Sequence, residues 1–329
     1  MKFIINKKNN LKISSIGLGA LHFGVFTNQY KSSKIIDCAL DSGINYIDTA
    51  PLYGNGASEE ILGNSIKGKR NKILICTKFG LKKVIRKNNF GVEVMKLNKN
   101  NLEKSLIDSL KKMQTDYIDI FQLHAFDKKT NLNETLSTLL DFKKRGMIRY
   151  IGISNYIPSE FQQIIDLCKE KKSQIDTMQF HYNFIERKAE NTVLKQAKIN
   201  DIIPIAYRGL ARGVLSNKYL NGKIPLNSRA YKSNRVKSLL NQELINTLKK
   251  INYICKINNT SLLNFSLSWL IKQNCSAVIG VRSIKQLKES IHSLNLKITN
   301  SFYDDIEKCI YSSNYIDRIY QMPKVYFEK

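Results

Sequence analysis

A parallel α/β fold of eight strand–helix units is what this sequence predicts, and three observations carry the prediction. Short apolar segments alternate with longer segments of helical spacing. The alternation recurs eight times over 329 residues, and no Pro-, Gly- or Ser-rich stretch divides the chain. Eight such units fit a closed parallel barrel that takes in residues 1–329 as one domain. A doubly wound open sheet is the alternative, because alternation alone does not tell a closed sheet from an open one.

The elements follow in order. The chain begins KFII, NKKNN, LKISSIGLG: two apolar runs around a polar corner, the pattern of a β-hairpin leading into a first inner strand near residues 16–21. Further strand candidates lie at 45–48, 73–78, 117–123, 150–154, 177–180, 202–207 and 277–281. Each is too short for a helix, and most are rich in β-branched or aromatic residues. Between them, Leu102, Leu106, Leu110 and Met113 form one helical stripe, and Phe161, Ile164, Ile165 and Cys168 another. Residues 131–146 carry a third, with Lys143, Lys144 and Arg145 at its end and Gly146 placed as a C-terminal cap. Residues 209–238 form the one long irregular stretch, bear Gly and Arg, and read as a functional loop.

Composition narrows the function classes. No apolar run reaches the ~18 residues of a membrane span, and the polar run after MKFII argues against a secretory signal. The 53 basic and 27 acidic residues give a net charge of +26. The lysines are spread along the chain among many Asn and Ile, which reads as solvated surface charge rather than a nucleic-acid face. A phosphate-bearing cofactor would still be drawn to such a surface. Six cysteines show no CxxC pair and no grouping with histidine, as expected of reduced core cysteines in a cytoplasmic protein. The four histidines form neither HxH nor HExxH, which leaves a metal-dependent hydrolase without ligands. His181 and His292 read as ordinary packing residues. The segment Gly17-Leu-Gly19-Ala-Leu-His22 fails the GxGxxG fingerprint at its third glycine; Leu21, His22 and Phe23 are candidates to line a substrate pocket instead.

In a parallel barrel the reactive groups gather where the strands end. Those ends carry Asp48, Lys78, His124, Ser154 with Asn155, Gln179 and Tyr207, and Tyr53 follows on the loop after Asp48. A phenol with a pKa near ~10 is a poor acid at neutral pH. A neighbouring ammonium is expected to lower it, with Asp48 fixing the lysine and His124 donating to a substrate oxygen. Such a constellation suits reduction of C=O, given a source of hydride.

The segments IGLGALHFG, GINYIDTAPLYGNGASEEILG, ILICTKFG, YIDIFQLHAFD, YIGISNY, MQFHYN, IAYRGLARGVLS and VIGVRSIKQLKES resemble, in order and spacing, the motifs of the aldo-keto reductase family over nearly the whole chain. The resemblance implies a (β/α)₈ TIM barrel with an N-terminal hairpin plug and a catalytic tetrad of Asp48, Tyr53, Lys78 and His124. It implies that Ser154, Asn155 and Gln179 hold a nicotinamide carboxamide and that Tyr207 stacks on the nicotinamide ring. Gly280, Arg282, Ser283 and Gln286 fall in the segment that grips an adenosine 2′-phosphate. That favours NADPH (NADP+) over NADH, because a guanidinium matches a phosphate dianion. Where the family usually reads Ser-Pro-Leu after the stacking tyrosine, this chain has Arg208, Gly209 and Leu210, which makes Arg208 a candidate contact for the pyrophosphate. Ile279 replaces a usual Pro, and Ser290 stands where Asn often meets adenine. The implied activity is reversible reduction of an aldehyde, ketone or sugar carbonyl by a monomer or small homo-oligomer, with Tyr53 as the acid. An NADPH-binding redox sensor on the same fold is the alternative. The loops at 81–94 and 209–238 and the stretch after 300 would then decide the substrate.

Overall fold

The computed structural model describes residues 1–86, 89–226 and 228–311. The chain opens with an antiparallel hairpin of β1 (Phe3–Ile5) and β2 (Lys12–Ser14). The strands β3 (Ile16–Gly19), β4 (Tyr46–Asp48) and β5 (Leu74–Phe79) follow. A second antiparallel hairpin, β6 (Leu81–Arg86) and β7 (Asn89–Val94), comes next. Five more strands complete the set: β8 (Ile118–Leu123), β9 (Ile148–Ser154), β10 (Thr177–His181), β11 (Ile203–Tyr207) and β12 (Ser276–Gly280). Eight of these form a closed parallel barrel in the order β3-β4-β5-β8-β9-β10-β11-β12. Closure removes the doubly wound alternative, and every predicted strand lies in the barrel with its ends shifted by a residue or two. The first ends early: residues 20–22 form a 3₁₀ turn that carries Leu21 and His22 out over the barrel.

Helices α1 (Gln29–Asp41), α2 (Ala57–Ser65), α3 (Lys99–Met113), α4 (Leu132–Lys144), α5 (Pro158–Glu170) and α6 (Lys195–Ile199) return the chain between successive strands. Two 3₁₀ turns (Ala211–Gly213 and Asn217–Tyr219) and short α7 (Arg229–Lys232) and α8 (Asn234–Lys237) interrupt the long loop after β11, which the sequence predicts to be irregular. The pair α9 (Gln242–Ile257) and α10 (Leu262–Lys272) leads to β12, and α11 (Ile284–His292) and α12 (Asn300–Tyr311) follow it. The asparagine-rich composition is put to use at helix starts. Asn28, Asn98, Asn131 and Asn241 each accept a backbone N–H of the first turn, satisfying donors that a helix leaves unpaired. Gly146 takes a φ of 73° just past α4, the left-handed conformation its predicted capping role requires. Of the stretch after 300, only α12 lies among the described residues, and residues 312–329 lie outside them. No helix among the described residues is long and apolar enough to cross a membrane.

The core is divided in two, and the division positions the site. One cluster fills the space between strands and helices, where the stripes of α3 and α5 are buried. The other lies inside the barrel: Ile4, Leu11 and Ile13 of the first hairpin pack on Tyr46, Cys76, Ile120, Ile203 and Ile205. The hairpin thus plugs the end where the strands begin. Tyr46 fills the interior because residue 17 is glycine, since a Cβ there would run into its ring. Among the described residues, the end where the strands finish is the one the hairpin leaves uncovered.

Candidate active site

At that open end lies a cleft of about 680 Å³. Asp48, Tyr53, His124, Asn155, Gln179, Tyr207, Arg208, Gly280, Arg282 and Gln286 all line it. Asp48 is the last residue of β4, Lys78 the last but one of β5, and His124 the residue after β8. Tyr53 is brought back over them by a tight turn in which Gly54, Asn55 and Gly56 have φ of 59°, 55° and 96°. Three successive left-handed residues are feasible because two are glycine and the third asparagine.

The four groups meet. Lys78 Nζ donates to Asp48 Oδ1 at 2.6 Å and to the Thr49 carbonyl at 2.9 Å. The same carboxylate oxygen accepts from Gln179 Nε2 at 2.7 Å and from the Tyr46 hydroxyl at 3.3 Å. Lys78 Nζ lies 5.3 Å from the centre of the Tyr53 ring, and the His124 ring stands edge-on to that ring at 6.5 Å. Lys78 itself is fully buried and does not line the cleft.

The electrostatics correct one expectation. Burial pushes the Tyr53 phenol up to about 12, and the Lys78 charge and hydrogen bond recover only part of that rise. Desolvation therefore outweighs the ammonium, and Tyr53 keeps its proton at neutral pH. Burial would lower Lys78, but the charges of Asp48, Tyr53 and Cys76 overcome it and hold the ammonium above its ordinary range. Burial, helped by the Lys78 charge, holds the His124 imidazole well below the usual histidine range, so it is neutral.

Next to the tetrad, β9, β10 and β11 present amides and an aromatic ring. Asn155 has a φ of 60°. Its Nδ2 donates to the His124 carbonyl at 2.9 Å and to Ser154 Oγ at 3.0 Å. Its Oδ1 accepts from the Tyr207 hydroxyl at 2.6 Å. Gln179 Oε1 accepts from Gln122 Nε2 at 3.2 Å and lies 3.5 Å from Ser154 Oγ. Ser154 is fully buried and reaches the cleft through Asn155.

Farther along, the start of α11 faces the cleft. Ser283 caps the helix by accepting the Gln286 N–H, and Gln286 Oε1 accepts the Arg282 N–H at 2.8 Å. The Arg282 guanidinium lies 3.9 Å from the centre of the Phe26 ring. Across the cleft, the loop after β11 brings Arg208, Arg212, Lys218 and Arg229 to its wall. Arg208, Ala211 and Arg212 have φ of 59°, 44° and 59°, strain of the kind that collects at ligand sites. A helix start, arginines and a strained basic loop make a donor set suited to phosphate. At Gly280 a Cβ would come within 3.3 Å of His22 Nε2, so glycine keeps that wall open.

Sequence reasoning missed two residues, Gln122 and His181. Gln122 shares the inner face of β8 with Ile120, and period two along the strand could have found it. Leu21 and His22 line the cleft as expected, whereas Phe23 does not, and His22 Nδ1 has no hydrogen-bond partner among the described residues. His181, read as ordinary packing, stacks on Tyr207.

Residues 15–311 match the Aldo/keto reductase family model. The L-glyceraldehyde 3-phosphate reductase of Escherichia coli (strain K12) is 32% identical over 303 residues, covering 88% of this chain and 86% of that protein. Among solved structures, the glycerol dehydrogenase of Gluconobacter oxydans superposes with a TM-score of 0.82 at 25% identity, covering 94% of this chain and 95% of that one. An aldo-keto reductase of Bacillus halodurans in its holo form gives a TM-score of 0.73 at 28% identity, covering 94% and 96%. With barrel, plug and motif order in agreement, the chain belongs to the aldo/keto reductase family and is an oxidoreductase acting on carbonyl substrates.

Proposed function

We propose that the protein reduces an aldehyde, ketone or sugar carbonyl to the alcohol, reversibly, with NADPH as reductant and Tyr53 as the proton donor. The observation that carries the reading is the buried Lys78–Asp48 pair set under the Tyr53 ring. NADPH supplies, when bound, the hydride that adds to the carbonyl carbon. Tyr53 holds its proton until the carbonyl oxygen begins to take up charge, then releases it to that oxygen. Lys78 stabilises the phenolate left behind, and Asp48 keeps Lys78 charged and in place. Neutral His124 directs the oxygen toward Tyr53 with a ring N–H. No covalent intermediate is needed.

The cleft fits the cofactor. Asn155 and Gln179 offer amide partners for a carboxamide, with Ser154 holding Asn155 from behind, and Tyr207 offers a flat face to the nicotinamide. Gly280, Arg282, Ser283 and Gln286 form the 2′-phosphate end, and Arg208 reaches the pyrophosphate between them. Leu21, Leu52, Leu81 and Val92 come from the loops after β3, β4 and β5, the strands that carry the tetrad side, and line the substrate end.

Replacing Tyr53 by Phe tests the reading. Turnover of a generic aldehyde, followed by loss of the reduced nicotinamide absorbance, is expected to fall by about 10³-fold. Binding of NADPH should stay within about twofold of the parent, since the ring is kept. A Tyr53→Phe protein with parental turnover would exclude Tyr53 as the acid.

A further inference from the structure

His181 and Glu186 take no part in the mechanism above, yet they are joined to it by an unbroken set of contacts. His181 and Tyr207 are register partners on the adjacent strands β10 and β11. Their rings stack with centres 5.5 Å apart and planes 21° from parallel. Tyr207 lines the cleft whereas His181 does not, so the histidine covers the rear of the tyrosine ring.

The histidine is itself clamped. Its Nε2 lies 2.6 Å from Glu186 Oε2, and Asn183 Nδ2 donates to the same oxygen at 2.5 Å. Asn183 is locked in turn. Its Oδ1 accepts the N–H groups of Ile185 and Glu186 at 3.2 and 3.1 Å, and its Nδ2 also reaches the Arg208 carbonyl at 3.1 Å. On the other side the Tyr207 hydroxyl fixes Asn155, whose Nδ2 holds the His124 carbonyl. A need for packing alone behind Tyr207 would be met by an apolar side chain. A buried carboxylate is costly unless it is hydrogen-bonded, and Glu186 meets that need by holding the histidine ring. What the pair supplies is a fixed orientation for one ring.

We propose that His181, clamped by Glu186, is a positioning residue for the cofactor: it backs Tyr207 so that the face lining the cleft is held flat against the nicotinamide ring. The inference rests on the proposed role of Tyr207 and adds a residue pair to it. His181 touches neither substrate nor cofactor and acts only through Tyr207.

The test measures three quantities on five variants of the full chain: NADPH affinity by quenching of protein fluorescence, the single-turnover rate of hydride transfer at saturating NADPH, and the aldehyde KM. His181→Ala is expected to weaken NADPH by about tenfold, the scale of one aromatic stack, and to slow the single turnover while the aldehyde KM stays unchanged. His181→Phe, which keeps a flat ring, should recover most of the loss. Glu186→Gln keeps the volume and should weaken NADPH by about threefold, the scale of one charge-assisted hydrogen bond to a positioning group. Tyr207→Ala should weaken NADPH at least as much as His181→Ala, and the double His181→Ala/Tyr207→Ala variant should be no weaker than Tyr207→Ala alone. Parental affinity and single-turnover rate in folded His181→Ala or Glu186→Gln would overturn the inference, as would additive losses in the double variant. Should His181→Ala not fold, Glu186→Gln and His181→Phe decide the matter by affinity and single-turnover rate. Parental affinity in Tyr207→Ala would instead refute the role of Tyr207, and the inference with it.

Discussion

Asp48 and Asp119 lie two strands apart around the barrel and at opposite ends of it, both buried and both paired with cations. Their other partners differ. Asp119, at the plugged end, accepts the Ile75 N–H of the neighbouring strand at 3.0 Å and meets Arg70 at 2.7 Å and Arg149 at 3.1 Å. Both guanidiniums lie 3.9 Å from the centre of the Tyr117 ring. Asp176, just before β10, repeats the device two strands on. It accepts the Ile151 N–H at 2.7 Å, with Asn9 and Gln174 on its other oxygen. Those carboxylates tie strand to strand through the backbone, and Asn9 of the hairpin is tied in with them. Among the described residues, Asp48 accepts only from side chains, those of Lys78, Gln179 and Tyr46. A carboxylate bonded to backbone fixes where a strand sits, while one bonded to the tips of long side chains fixes where a charge sits. The plugged end stores shape and the open end stores charge.

If that division holds, the two ends fail in different ways. The largest effect is expected from removing the charge at the open end as a pair, Asp48→Asn together with Lys78→Met. Turnover should fall by about 10³-fold, as for loss of a working proton donor. Thermal stability should stay level or rise, because replacing a buried ion pair is often neutral or stabilising. An active double variant, or one that melts far below the parent, would break the comparison. Asp119→Ala should do the reverse. It leaves the Ile75 N–H without an acceptor and two arginines without their carboxylate, at a cost of about 2–4 kcal/mol. Denaturant midpoints would register that loss, and kcat of the folded fraction should match the parent; a fall in kcat with stability unchanged would mean the ends are not separable.

The same division sets what could be read from the sequence. The barrel was legible because each strand is a short β-branched run, and a side chain ending such a run must stand at a mouth; Asp48, Lys78 and His124 follow from that alone. Strand ends moved by a residue or two because a small or polar residue can close a strand or begin a turn with little local difference, as where β3 ends at Gly19 and a 3₁₀ turn begins at Ala20. The β6–β7 hairpin went unread as strands because KKVIRKNN carries its apolar residues among lysines that suit an exposed loop equally well. His181 was missed for a different reason. Its partner Tyr207 is set by register between β10 and β11, and register is a property of two strands rather than of either segment. The acidity of Tyr53 was misjudged in sign because proximity to Lys78 can be read from motif order, whereas the depth of burial that outweighs it cannot.

Within the open end the cofactor wall offers a smaller contrast. Arg282 lies over the Phe26 ring and lines the cleft, with no carboxylate in ion-pair contact among the described residues. Arg282→Ala is expected to weaken NADPH by about tenfold to a hundredfold, the worth of a charge-assisted bond to phosphate, and to leave NADH nearly unaffected. Dissociation constants for the two cofactors measured side by side would decide it. Equal losses would place the 2′-phosphate elsewhere.

His22 gives the smallest effect and the most direct check on stored charge. Burial first, then the charges of Arg282 and Arg229, bring its pKa from 6.5 down to about 4. Nδ1 has no hydrogen-bond partner among the described residues. The folded protein therefore binds fewer protons here than the unfolded chain between those two values. Linkage then requires that this contribution to stability be complete above pH 6.5 and be lost as pH falls toward 4. At pH 5 the loss should amount to about 1–2 kcal/mol after allowance for partial exposure. His22→Gln cannot titrate, so its unfolding midpoint should drop less than the parent's between pH 7 and pH 5, with both proteins measured free of nucleotide. Parallel profiles would show that His22 is protonated alike in the folded and unfolded chains, and that the arginines beside it are screened by solvent instead of being held in reserve for a phosphate.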